Sequence, residues 1–161
     1  MTEPDESDPE ASAPLADGAA PVAGGPLLTA DLVGTVALGL SVAASAASDA
    51  DAVALAGLVV ASLLFAGGFL GFGVGFLRAA GRSRYEIVDL AGLFYLTGAA
   101  PKAVRRAFLG LWFLQMGLAL AAVFVTSPPF AVMAPVWGIG LITWWSSLHG
   151  TFPSRPTGRP R

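Results

Sequence analysis

Four apolar blocks, each about long enough to cross a bilayer, constrain this chain more than any other feature of its sequence. They run from about Ala30 to Ala47, Ala52 to Leu77, Ala107 to Val125 and Phe130 to Leu148. At about 1.5 Å per residue, a helix needs about 20 apolar residues to cross about 30 Å of hydrocarbon. The first block barely reaches, so Leu27 and Leu28 are expected to extend it. Helices are therefore expected near 28–47, 52–77, 107–125 and 130–148. Composition points the same way: 55% of the 161 residues are hydrophobic, 12% are charged and the mean hydropathy is +0.69. An average soluble domain is about one-quarter charged. The expected fold class is all-α, a polytopic membrane protein with four transmembrane helices in a domain spanning 27–149. Nothing is left over to build a separate catalytic module.

The net charge of −2 conceals a segregation, because all 9 basic residues lie from Arg78 onward while 6 of the 11 acids precede Asp31. Those six (Glu3, Asp5, Glu6, Asp8, Glu10 and Asp17) share residues 1–26 with Pro4, Pro9, Pro14, Pro21 and Pro26. With so little to bury, the segment reads as a disordered acidic tail. A secretory signal opens with Lys or Arg, the opposite charge, so the first block is expected to be retained. Arg78, Arg82, Arg84, Lys102, Arg105 and Arg106 fall between the second and third blocks, and Arg155, Arg159 and Arg161 end a basic tail, 150–161. The short connections at 48–51 and 126–129 hold no basic residue. By the positive-inside bias, four crossings put both termini and the central connection in the cytoplasm, with the plasma membrane the expected location. Trp112, Trp137, Trp144 and Trp145 are candidate interfacial anchors, with Trp137 equally suited to the bundle interior.

Between the second and third blocks lies an apolar run too short to span. Ile87, Val88, Leu90, Ala91, Leu93, Phe94, Tyr95 and Leu96 are interrupted by Asp89 and Gly92, and Gly98 and Pro101 follow. Residues 87–97 read as an interfacial or re-entrant helix against the cytoplasmic face; the alternative is a segment packed beneath the bundle. The run Asp89-Leu90-Ala91-Gly92-Leu93-Phe94, then Ala99-Ala100-Pro101-Lys102-Ala103-Val104-Arg105-Arg106-Ala107, then His149-Gly150-Thr151-Phe152-Pro153, resembles a group of small actinobacterial integral membrane proteins with no assigned activity. The resemblance covers Arg84 to Pro153, about half of the chain. It implies location and architecture, and supplies no catalytic residue.

Candidate contact residues follow from spacing. Gly67, Gly71 and Gly75 make consecutive small-xxx-small steps, widened by Gly68, where another backbone can approach closely. Ala37, Ser41 and Ser45 form a matching strip on the first helix; the seam joins either that strip or another chain. Phe65, Phe69, Phe72 and Phe76 recur on a separate face. Gln115 sits near the middle of the third block, where an amide facing lipid costs a few kcal/mol. It is expected to make an interhelical hydrogen bond or, in the functional reading, to line a solute path. Asp31 is expected at the start of the first helix, favoured by its dipole, with Thr29 as a cap. Asp89 is expected to pair with Arg82, Arg84, Arg105 or Arg106, fastening 87–97 to the third helix, in preference to holding a ligand.

The absence of cysteine removes disulfides, thiolate nucleophiles and cysteine metal sites. His149 is the only histidine, too few for a zinc triad, and no HExxH, GxxxxGK[ST], dinucleotide fingerprint or GxSxG run occurs. No catalytic, cofactor or metal residue is assigned and enzyme activity is not expected. Nucleic acid is not an expected partner, because the basic cluster is small, tied to the membrane and accompanied by an acidic tail. The expected partners are the lipid bilayer and a membrane protein or further copies of the chain. The chain is accordingly expected to be an accessory or scaffolding subunit acting through the glycine seam and segment 87–97. The alternative is a small-solute transporter or channel formed by homo-oligomerisation, with Gln115 near its path.

Overall fold

The structure, a computed structural model, describes residues 25–126 and 129–155. The acidic segment expected to be disordered lies outside the described residues except for Gly25 and Pro26, which open the first helix. Elements follow in the order α1 (Gly25–Ala47), α2 (Asp51–Arg82), α3 (Leu90–Tyr95), α4 (Lys102–Val125), a 3-10 turn (Phe130–Met133) and α5 (Val136–His149). Four helical stretches are long and apolar enough to cross a membrane: Gly25–Ala47, Asp51–Arg82, Lys102–Val125 and Phe130–His149.

Several boundaries differ from expectation for local physical reasons. α2 continues beyond Leu77 to Arg82, and α4 begins at Lys102, so Arg78, Arg82, Lys102, Arg105 and Arg106 stand on helices. The backbone keeps its helical hydrogen bonds past the apolar block, while long basic side chains reach for polar surroundings. Pro101 precedes the first turn of α4, where its missing N–H breaks no helical bond. The expected fourth helix is two pieces. Pro135 cannot donate within a continuous helix, and the chain turns through Phe130–Met133 before α5 starts at Val136.

α5 is the hub. It packs against α1, α2, α3 and α4, and 56% of the Phe130–His149 window is buried against protein, compared with 22% to 28% in the other spans. α2 and α5 run parallel, since Gly68 lies against Val136 and Trp137, Gly71 against Gly140, and Gly75 against Thr143. α1 and α4 run the other way, as Gln115 bonds Asp31 and Thr35 while Phe108 meets Trp145. The topology is thus up-down-up-down, with the start of α1, the end of α2, the start of α4 and the end of α5 at one basic end.

The interior has two apolar tiers. At the basic end, Leu96, Val104, Phe108, Leu141, Ile142 and Trp145 cluster. At the opposite end Leu38, Val42, Ala61, Leu64, Ala122, Phe130, Ala131 and Ala134 cluster.

The glycine seam holds α2 on α5, correcting the expectation that it meets the Ala37, Ser41 and Ser45 strip or another chain. A methyl group placed on Gly75 would lie 2.7 Å from the Thr143 carbonyl carbon and the Trp144 nitrogen. One on Gly68 would overlap the backbone of Val136 and Trp137, and one on Gly71 would lie 3.4 Å from Gly140. Gly68, Gly71 and Gly75 are buried on this line, whereas Gly67 sits one position around, under the ring of Trp137. Such close backbone approach maximises dispersion contact, the main attraction between helices when lipid is the competing solvent. Ala37, Ser41 and Ser45 are half-buried, and the Ser41 hydroxyl donates to the Leu38 carbonyl at 2.8 Å.

Candidate functional site

Between the two apolar tiers lies a layer of polar groups drawn from three helices. Gln115 stands about 20 Å along α4 from Lys102, on the buried face shared with Phe108, Ala119 and Ala122. Its Nε2 donates to Asp31 Oδ1 at 2.8 Å and to Thr35 Oγ1 at 2.8 Å. Its Oε1 accepts from the Gly138 N–H at 3.1 Å. Gly138 lies in the first turn of α5, where backbone N–H groups have no helical acceptor, so the Gln115 amide caps the helix across the bundle. All four groups are buried, and the Thr35 hydroxyl itself donates to the Asp31 carbonyl at 2.7 Å.

Asp31 departs from its expected role. Instead of standing at the helix start it lies in the second turn of α1, fully buried, while the Thr29 hydroxyl donates back to the Gly25 carbonyl at 2.7 Å and caps nothing. Two atoms beside this layer have no hydrogen-bond partner among the described residues: Asp31 Oδ2 and Trp137 Nε1. The indole of Trp137 lies over Gly34 and its six-membered ring over Gly67, wedging it between α1 and α2, inside the bundle. From sequence, Trp137 suited either an interfacial anchor or the bundle interior, and the structure places it inside; Thr35 and Gly138 were missed. A threonine one turn after Asp31 and a glycine after Pro135 were the signals present.

At the basic end, the segment from Ser83 to Pro101 and residues 150–155 form a second construction. Arg82 is its centre. Its Nε donates to Glu86 Oε2 at 2.8 Å, Nη1 to the Ser147 carbonyl at 3.0 Å and Nη2 to the Gly150 carbonyl at 2.8 Å, and the guanidinium lies 5.2 Å from the Phe152 ring centroid. Arg82 thereby satisfies carbonyls left open where α5 ends, at the negative pole of its dipole. Residues 151–155 do not hang free as a tail. The Ile87 N–H donates to the Pro153 carbonyl at 2.8 Å, Arg155 N–H to Tyr85 at 2.9 Å and Thr151 N–H to Ala99 at 3.1 Å.

The expected 87–97 helix is the six-residue α3, lodged against α5. The Ser146 hydroxyl donates to the Gly92 carbonyl at 3.0 Å, Phe94 stacks on Phe72 at 5.9 Å, and Tyr95 meets Trp112 edge-on at 6.4 Å. α3 ends in a left-handed residue, Leu96, at φ 54°, costing about 1–2 kcal/mol, which complete burial of its side chain in the basic-end tier offsets. Asp89 is the N-cap of α3, accepting from the Gly92 N–H at 3.0 Å. The expected pairing with Arg82, Arg84, Arg105 or Arg106 is not made; among the described residues the one ion pair is Arg82–Glu86, at 2.7 Å. A cap three residues from its N–H needs no cation.

Arg78, Arg84, Lys102 and Arg106 have no hydrogen-bond or ion-pair partner among the described residues, while Arg105 Nε donates to the Tyr95 carbonyl at 3.0 Å. At the opposite end a cleft of about 340 Å³ is lined by Ser45, Asp49, Asp51 and Thr126 among others. No protein-family profile matches the chain, and no curated protein or solved structure is similar to it.

Proposed function

We propose that the chain is an accessory or scaffolding subunit of a membrane complex in the plasma membrane, with both termini cytoplasmic, and that its partner docks on the basic end. The observation that carries this reading is the platform made by 83–101 and 150–155. It is fastened by Arg82 and by paired main-chain bonds, yet leaves Tyr85 76% exposed and Leu90 68% exposed, with Ile87 and Tyr95 also presented. Ordered aromatic and aliphatic side chains ringed by cations are the make-up of a contact surface at headgroup depth.

The glycine seam, occupied by α5, is not the docking surface in this reading. The alternative of a solute path beside Gln115 is disfavoured because its amide would first have to give up bonds to three partners. The test is co-purification of the tagged full-length chain from its own membranes, beside a Tyr85→Ala, Leu90→Ala double variant. A stoichiometric second protein that is lost with the variant is the expected result. A wild-type chain that comes out alone, and that carries solute across liposomes, would transfer the reading to the alternative.

A further inference from the structure

We propose a binding site for one anionic phospholipid on the α1–α4 face, with its phosphate between Lys102 and Arg106 and an acyl chain in the groove beyond. Two depressions meet at Arg106. The first, of about 510 Å³, is lined by Lys102, Arg105, Arg106 and Leu109. The second, also about 510 Å³, is an apolar groove between the two helices, walled by Leu28, Leu32, Ala107, Gly110, Leu111 and Leu114. From Arg106 to Leu114 the groove follows α4 for about 12 Å along the membrane-crossing direction.

Charge complementarity selects the occupant. Lys102 and Arg106 are four residues apart on one helix and so share a face. Neither has an acceptor among the described residues, and the acids on neighbouring segments are placed elsewhere: Glu86 on Arg82, Asp89 on the Gly92 N–H, and Asp31 fully buried against Gln115. The first turn of α4 holds no acid, so these cations stand unneutralised at the positive end of the helix dipole. An anion there relieves like-sign repulsion from side chains and backbone together. A free phosphate would satisfy the mouth and leave the apolar groove empty, while a zwitterionic headgroup would bring its own cation against the arginine. One molecule carrying a net-negative head and a hydrocarbon chain fits both depressions. Gly110 keeps the groove open, since a methyl group placed there would touch nothing within 4 Å.

The test is native mass spectrometry of the full-length protein in mixed micelles with equal phosphatidylglycerol and phosphatidylcholine. Wild type is expected to retain one phosphatidylglycerol in preference. Juxtamembrane cations contribute about fivefold each to binding of anionic lipid, so Lys102→Gln with Arg106→Gln should erase a preference of at least tenfold. Gly110→Leu, which has space to fold, should reduce retention of either lipid by filling the groove. Arg84→Gln, on the same end but away from the groove, should change nothing. Equal loss with Arg84→Gln would overturn the site in favour of diffuse attraction, and displacement of the lipid by millimolar inorganic phosphate would assign the mouth to a free anion instead.

Discussion

Gln115 is the residue that ties the interior together, because its single amide answers a carboxylate, a hydroxyl and a helix N-terminus at once. Replacing it by leucine leaves three buried groups without that partner, and each buried polar group so abandoned costs about 1–3 kcal/mol. Interhelical hydrogen bonds inside membranes average only about 0.6 kcal/mol, so three lost together come to about 2 kcal/mol, below the sum of those penalties. Gln115→Leu is therefore expected to lower unfolding free energy by about 2 kcal/mol in a denaturant titration of micellar protein. Asp31→Asn, which keeps an oxygen for Gln115 Nε2, should cost markedly less. The seam makes a paired prediction. Gly75→Ala meets backbone and should destabilise by about 1–3 kcal/mol, whereas Gly73→Ala, with nothing within 4 Å, should be neutral or slightly stabilising in the same titration. That Gln115 would face protein was legible, since lipid cannot satisfy an amide. That Asp31 would be one of its partners was not, because the two are 84 residues apart and nothing local marks a second-turn acid as buried.

At the scale of elements, four helices long and apolar enough to cross a membrane could be read directly from apolar length, and so could the short connection that joins the first pair. The partner of the glycine seam could not. Small-residue spacing announces that a backbone will come close without saying whose. The clue lay in the fourth block, whose Gly138, Gly140, Thr143, Ser146 and Ser147 spread over about half of the helix circumference, leaving that side unsuited to face lipid and suited to the centre. α3 was legible as a segment too short to span; its attachment was not, because it depends on Arg82 reaching the carbonyls of Ser147 and Gly150, 65 and 68 residues away. Hydrogen bonds to a charged donor contribute about 1.5–3 kcal/mol each when well placed. Arg82→Gln should accordingly loosen the platform while leaving the bundle folded. In hydrogen exchange, the Ile87 and Arg155 amides should open at least about tenfold more readily, with α4 protection unchanged. Unchanged exchange at both amides would mean that the main-chain pairing holds without Arg82.

At the scale of the whole molecule, Gly71, Gly75, Gln115 and Asp31 are turned inward, Ala37, Ser41 and Ser45 are half-buried, and the basic end remains as the built outer surface. The chain thus separates two tasks. Seam and polar layer fix the bundle, and in the proposed reading the platform with its cations meets a partner outside. The absence of cysteine makes this division directly testable. Gly71→Cys with Trp144→Cys introduces the only two thiols, at neighbouring positions on α2 and α5, since a methyl group on Gly71 would lie 3.6 Å from the Trp144 ring. Treated in native membranes with a short bifunctional thiol-reactive cross-linker such as a bismaleimide, the full-length double variant should cross-link within one chain. It should then run on a denaturing gel as a monomer of altered mobility. A covalent dimer formed in place of that monomer would contradict the account, because it would put the glycine seam between chains.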